Sequence, residues 1–148
     1  MKVQQVMSRD VETVRPNETI KHTAQRMNRQ GIGYFPVRDR RGLIGIITDR
    51  DITCRLVADG QDPASTKVRE IMSTGLAYCH DDDDLSTALH LMAQNRIRRI
   101  PVLDRNDHLV GILSLTDLAR KARHHLTAEL IEAVSREARL MVTINPGS

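Results

Sequence analysis

Aromatic side chains are almost missing from this sequence: it has no tryptophan, one phenylalanine (Phe35) and two tyrosines (Tyr34 and Tyr78) in 148 residues. A stacking platform for single-stranded nucleic acid needs a row of rings, and so few cannot supply one. Cysteine is equally scarce. Cys54 and Cys79 stand in unrelated contexts, which excludes a disulfide framework or a cysteine metal site and points to a reducing cytoplasm. No apolar run approaches the ~18 residues of a membrane span. The opening MKVQQVMSRD lacks the apolar stretch of a secretion signal. Charge is nearly balanced, with 22 Lys and Arg against 19 Asp and Glu, a net +3. Residues 1–66 carry the whole excess (11 against 8), and the remainder balances at 11 against 11. So weak an excess does not call for nucleic acid, although RIRR and ARKARHH are basic. Phosphate-binding glycine loops and the G-x-S-x-G elbow are absent. With no activated nucleophile or acid–base pair in view, no catalysis is expected.

What the sequence does contain is a repeat. Shifted by 65 residues, VQQVMS (Val3–Ser8) meets VREIMS (Val68–Ser73), Met27 meets Met92, and FPVRDR meets IPVLDR. One extra residue then enters the second copy's turn, and at a shift of 66 Gly45, Thr48 and Asp51 meet Gly111, Ser114 and Asp117. Each copy predicts the order β-α-β-β-α: a short extended piece, a helix, an antiparallel hairpin and a second helix. The helices show apolar residues at helical spacing, Ile20, Ala24 and Met27 in one copy, Leu85, Leu89 and Met92 in the other. Asn17 is the expected cap of the first helix. The run Asp81–Asp84 falls at the start of the second, where carboxylates complement the helix dipole. No metal-ligand partners accompany that run, and the adjacent His124 and His125 do not share a helical face.

These patterns divide the chain into a first repeat (1–60), a linker (61–67), a second repeat (68–125) and a C-terminal helix and tail (126–148). The last part has a stripe of Leu126, Leu130, Val134, Ala138 and Met141. It packs either on its own module or on a second subunit. The expected fold class is α+β.

Two β-α-β-β-α copies, each with an apolar-Pro-Val strand and a Gly-x-x-Thr/Ser-x-x-Asp turn, resemble a tandem pair of CBS domains, the Bateman module. TDRDI and DGQDP are similar to small stand-alone bacterial members, including those of hypoxic-response type. The resemblance implies two copies packed with pseudo-twofold symmetry, a homodimer, and regulatory binding of AMP, ADP, ATP, NAD or S-adenosylmethionine in clefts between the copies. With no attached catalytic or transporter domain in the sequence, a separate protein partner is expected to read the bound state.

The duplicated turn then has a chemical use. An ionised carboxylate accepts both hydroxyls of a ribose diol, so Asp51 and Asp117 are the ribose candidates, assisted by Thr48 and Ser114. Gly45 and Gly111 would let a backbone or a flat base come close. Free N–H groups at the helix starts would face phosphate. The base slot would be lined by Thr13, Val14, Ile32, Gly33, Tyr34 and Pro36 in the first copy, and by Tyr78, Cys79, Ile97 and Pro101 in the second. Arg50, Arg98 and Arg99 are the phosphate candidates, with strand alternation sending Arg98 and Arg99 to opposite faces. The alternative function is a ligand-free interaction or stress-response scaffold.

Overall fold

The computed structural model describes residues 1–121 and Ser135. Apart from Ser135, the expected C-terminal helix over 127–141, with its apolar stripe, lies outside the described residues, as do His124 and His125.

The expected element order is present in the second copy, and in the first the leading strand is reduced to a single bridge. Helix α1 (Ile20–Gln30) leads to the hairpin strands β1 (Tyr34–Asp39) and β2 (Gly42–Thr48). Helix α2 (Asp49–Asp51) continues directly as a π-helical turn over Ile52–Val57. A short helix α3 (Val68–Ile71) precedes strand β3 (Cys79–His80), helix α4 (Leu85–Asn95), the hairpin β4 (Arg99–Leu103) and β5 (Leu109–Ser114), and helix α5 (Leu115–Lys121). Both hairpins are antiparallel, and β3 pairs in parallel with β4. In the first copy Val14 makes the matching parallel bridge, to Val37. The extra residue of the second copy sits in the turn after Leu103. There the Asp104 carboxylate accepts the N–H groups of Asn106 and His108, at 2.8 and 3.0 Å.

The compact units do not coincide with the sequence repeats. One unit comprises Met1–Val11 with residues from Ala77 onward, and the other is Glu12–Leu76. The opening segment of each repeat therefore packs on the hairpin and helices of the other repeat. We call these segments arms. In the Glu12–Leu76 unit, arm residues Val68 and Ile71 join Ile20, Phe35, Val37 and Ile47 in the core. In the other unit Val3, Val6 and Met7 join Leu89, Met92, Ile100 and Leu113. Burying such side chains contributes about 1.5–3 kcal/mol each.

The arms also finish the helices. Ile20 N–H donates to Thr66 and Lys21 N–H to Pro63, while Leu85 N–H donates to Met1. Helix N-termini leave donors unmet, and here arm or linker carbonyls meet them. This alters two expectations. Asn17 lies in a turn, and the α1 cap is Thr19, whose hydroxyl accepts from His22 N–H at 3.2 Å. Asp84 does occupy the α4 cap position, but its side chain makes no capping bond and instead pairs with Lys2 of the arm at 2.9 Å. The reason is competition: a lysine within reach offers a charge-assisted bond to the same carboxylate.

Candidate functional site

The two Gly-x-x-Thr/Ser-x-x-Asp turns fold alike, one in each unit. In the Glu12–Leu76 unit, β2 ends at Thr48 and the chain turns at once into α2. Thr48 takes the cap position, and its hydroxyl accepts from Asp51 N–H at 3.1 Å. In return Asp51 Oδ2 accepts from Thr48 N–H (3.0 Å) and from the Thr48 hydroxyl (3.1 Å). In the other unit Asp117 Oδ2 accepts from Ser114 N–H at 3.1 Å and from the Ser114 hydroxyl at 2.7 Å. These are reciprocal caps of the kind that stabilise many strand-to-helix turns.

The second carboxylate oxygen of each pair looks elsewhere. Asp51 Oδ1 accepts from the Ser73 hydroxyl at 3.1 Å, and Asp117 Oδ1 accepts from the Ser8 hydroxyl at 2.7 Å. Ser73 and Ser8 close the two arms. Arg55 Nη1 donates to the Ile71 and Met72 carbonyls, at 3.2 and 3.0 Å, and its Nε lies 3.8 Å from Asp51 Oδ1. Its counterpart Lys121 donates to the Met7 carbonyl at 3.2 Å. The carboxylates are 9 % (Asp51) and 8 % (Asp117) exposed.

The motif glycines serve the same contact. A Cβ on Gly45 would lie 2.7 Å from Met72 Sδ and 3.0 Å from the Ser73 carbonyl oxygen. A Cβ on Gly111 would lie 2.5 Å from Met7 Sδ and 2.9 Å from the Ser8 carbonyl oxygen. Backbone bridges run beside them, Ile46 to Ser73 and Ser8 to Ile112. Of the two visitors expected at these glycines, the structure places a backbone there. Gly, Asp and the basic residue four positions after Asp together clasp a Met-Ser arm. Ser8, Ser73, Arg55 and Lys121 were not among the candidates from sequence. The repeat alignment that pairs VQQVMS with VREIMS contains the serines, and the same shift of 66 pairs Arg55 with Lys121.

The remaining candidates divide by exposure. Val14 and Cys79 belong to the two cores, and Tyr34, Pro36 and Pro101 are also buried. Cys79 Sγ lies 3.9 Å from the Pro101 carbonyl oxygen; burial first, then the charge of Asp83, pushes its thiol pKa up to about 12. Thr13, Gly33 and Ile97 are half-buried, while Ile32 and Tyr78 are 38 % and 46 % exposed. Register sets Tyr34 opposite Thr48 and Arg99 opposite Ser114, so a ring and a guanidinium occupy equivalent places beside the two hydroxyls. Arg50, Arg98 and Arg99 are exposed. Arg98 precedes β4, so the strand alternation expected for Arg98 and Arg99 does not apply.

The helix starts differ from expectation as well. Asp49 N–H donates to the Gly33 carbonyl (3.0 Å), Arg50 N–H to Asp49 Oδ1 (2.9 Å), and Asp51 N–H to Thr48. The first turn of α2 thus has its donors taken. At α5, Leu115 N–H donates to the Arg98 carbonyl and Asp117 N–H to Ser114, both at 3.1 Å. Among the described residues no group of three or more His, Cys, Asp or Glu is placed to hold a metal ion, and no helix is long and apolar enough to cross a membrane.

The fold and the paired turns define a class: tandem α+β repeats, each offering a capped strand-to-helix corner. The chain belongs to the CBS domain family, matching it twice, at residues 3–58 and 68–124. It is 44 % identical over 117 residues to the CBS domain-containing protein YhcV of Bacillus subtilis, covering 79 % of this chain and 82 % of that one. It is 31 % identical over 130 residues to hypoxic response protein 1 of Mycobacterium tuberculosis, covering 87 % and 90 %. Among solved structures it resembles the CBS domain pair of protein MJ0100 in complex with 5′-methylthioadenosine and S-adenosyl-L-methionine. That match has a TM-score of 0.71 at 26 % identity and covers 81 % of this chain and 94 % of the other.

Proposed function

We propose that this chain is a non-catalytic, cytoplasmic sensor of adenosine-containing ligands that acts as a homodimer and signals to a separate protein. The observation that carries the reading is the pair of buried carboxylates with one oxygen only partly engaged. A carboxylate offers about four acceptor positions. Among the described residues, Asp117 uses two on Oδ2 and one on Oδ1, for Ser8. Asp51 does the same with Ser73, with Arg55 close by.

A ribose hydroxyl can take the open position on Oδ1. A vicinal diol takes both positions when the serine hydroxyl turns away. Ligand binding and arm docking then compete for one oxygen, and the ligand shifts the arm between clasped and released states. The half-buried and exposed rim (Thr13, Ile32 and Gly33 in one unit, Tyr78 and Ile97 in the other) supplies apolar surface for the base. Arg98 and Arg99 supply charge for phosphate. The complex formed by protein MJ0100 supports the ligand class.

The scaffold reading draws on one observation: the Thr48 and Ser114 hydroxyls already donate inward, to Asp51 and Asp117. Thermal denaturation separates the two. AMP, ATP, NAD or S-adenosylmethionine at 100 times its Kd should stabilise a sensor by about 2.7 kcal/mol. Replacing both carboxylates, Asp51→Asn with Asp117→Asn, should abolish the gain. A melting temperature that moves with none of these compounds supports the scaffold.

A further inference from the structure

The two corners differ in charge at four equivalent positions: Gly33, Tyr34, Asp49 and Arg50 in one stand against Arg98, Arg99, Leu115 and Thr116 in the other. In the unit containing Met1–Val11, the residue whose carbonyl receives the α5 start is Arg98, and the first residue of α5 is Leu115. In the Glu12–Leu76 unit the equivalent residues are Gly33 and Asp49. A Cβ on Gly33 would lie 2.5 Å from Asp49 Oδ2 and 2.8 Å from its carboxyl carbon. An anion therefore fills the volume in which the other copy begins an arginine side chain. This carboxylate is exposed, two residues before the ribose candidate Asp51, and it accepts the Arg50 N–H that a phosphate would otherwise seek. The neighbouring strand position adds to the contrast, with Tyr34 here and Arg99 there.

We infer that Asp49 is a specificity-determining residue that makes the Glu12–Leu76 corner select adenosine ligands with a neutral or cationic 5′ substituent. The corner built on Arg98, Ser114 and Asp117 takes the phosphate-bearing ones. The inference rests on the adenosine reading above and adds to it the assignment of ligand class to each corner. The physical cause is direct. A phosphate tethered to a ribose on Asp51 would meet the like charge of Asp49 at the helix start; the backbone donors there are already occupied, which leaves the exposed Arg50 side chain as the counter-charge on that helix. One unit charge at an aqueous edge changes relative affinity by about fivefold at a separation near 4 Å, and salt reduces the effect.

The test is a titration of the 15N-labelled full chain with adenosine and with AMP at low salt, following the amides of Gly33 and Arg98 as separate reporters. In the natural sequence Gly33 should respond to adenosine at a concentration about fivefold or more below that needed for AMP, a gap that narrows in 0.5 M salt. Arg98 should respond to AMP at a lower concentration than to adenosine, and an equal response to both there would overturn the assignment of phosphate-bearing ligands to that corner. Asp49→Asn should bring AMP level with adenosine at Gly33 and leave Arg98 unchanged. Asp49→Leu, which copies Leu115, should do the same and serves if the first variant fails to fold. Equal responses to both compounds at Gly33, or a preference that survives both substitutions, would overturn the assignment while leaving adenosine binding intact. No response of either amide to either compound would overturn it together with the reading on which it rests.

Discussion

At the scale of single residues, each motif position is explained by what it touches. Gly45 and Gly111 are glycine because a Met-Ser backbone lies where a Cβ would go. Gly45→Ala and Gly111→Ala should each cost about 1–3 kcal/mol, the usual penalty for overpacking, read as a lowered urea midpoint. Among the described residues, the Asp51 and Asp117 carboxylates accept three hydrogen bonds each. The thiols make a second residue-scale prediction. Cys54 is exposed, whereas burial pushes the Cys79 thiol pKa up to about 12. Only a thiolate attacks a disulfide reagent. At pH 8 the folded protein should therefore release one equivalent of Ellman's chromophore promptly and the second only on unfolding; prompt release of both would contradict the placement of Cys79. The roles of Gly, Thr/Ser and Asp were partly legible in the sequence, since residue type and spacing state what a side chain can donate or accept. Their partners were not, because Ser8 lies 109 positions from Asp117, and no local rule links residues so far apart. Val14 and Cys79 read equally well as slot wall or core from sequence, and only packing distinguishes those.

Among the elements, the arms carry most of what is new. The helices, hairpins and turn insertion follow from periodicity and turn chemistry, and the structure contains them. The exchange of arms between repeats was hidden, because a segment preceding a repeat in sequence reads as part of that repeat. The Asp81–Asp84 run illustrates the same limit. Asp84 does take the cap position, and the run also works as a dock: Asp83 and Asp81 carbonyls accept Val3 and Gln4 N–H, and Lys2 pairs with Asp84. Arg105 from the β4–β5 turn holds Asp82. The hydrogen bond and charge of Lys2 hold the Asp84 carboxyl below its usual range. A carboxylate with a lowered folded-state pKa adds stability that is complete above its unfolded pKa of about 4 and is lost as pH falls through the lowered value. Lys2→Ala should therefore speed hydrogen exchange at Val3 and Gln4 at pH 7. The difference from the natural sequence should vanish once Asp84 is protonated. A difference that persists in strong acid would mean that Lys2 holds the arm by packing alone.

For the whole molecule, belonging to the CBS domain family fixes the fold and leaves the ligand and the signal to chemistry. The proposed device joins a structural fact, that each carboxylate closes an arm through Oδ1, to a chemical one, that a carboxylate oxygen can accept more than one hydrogen bond. A ligand that occupies Oδ1 would loosen the arm, so Ser8→Ala with Ser73→Ala should tighten ligand binding and lower the stability of the unliganded protein by about 1 kcal/mol for each lost bond. Isothermal titration of adenosine into the double variant reads the first effect, and urea denaturation the second. Weaker binding in that variant would make the serines partners of the ligand rather than its rivals. The most direct measurement is a crystal structure of the protein grown with adenosine. Ribose hydroxyls should lie within hydrogen-bonding distance of Oδ1 on Asp51, with the Ser73 hydroxyl displaced from it. A ribose bound elsewhere, with the Ser73–Asp51 and Ser8–Asp117 bonds undisturbed, would contradict this.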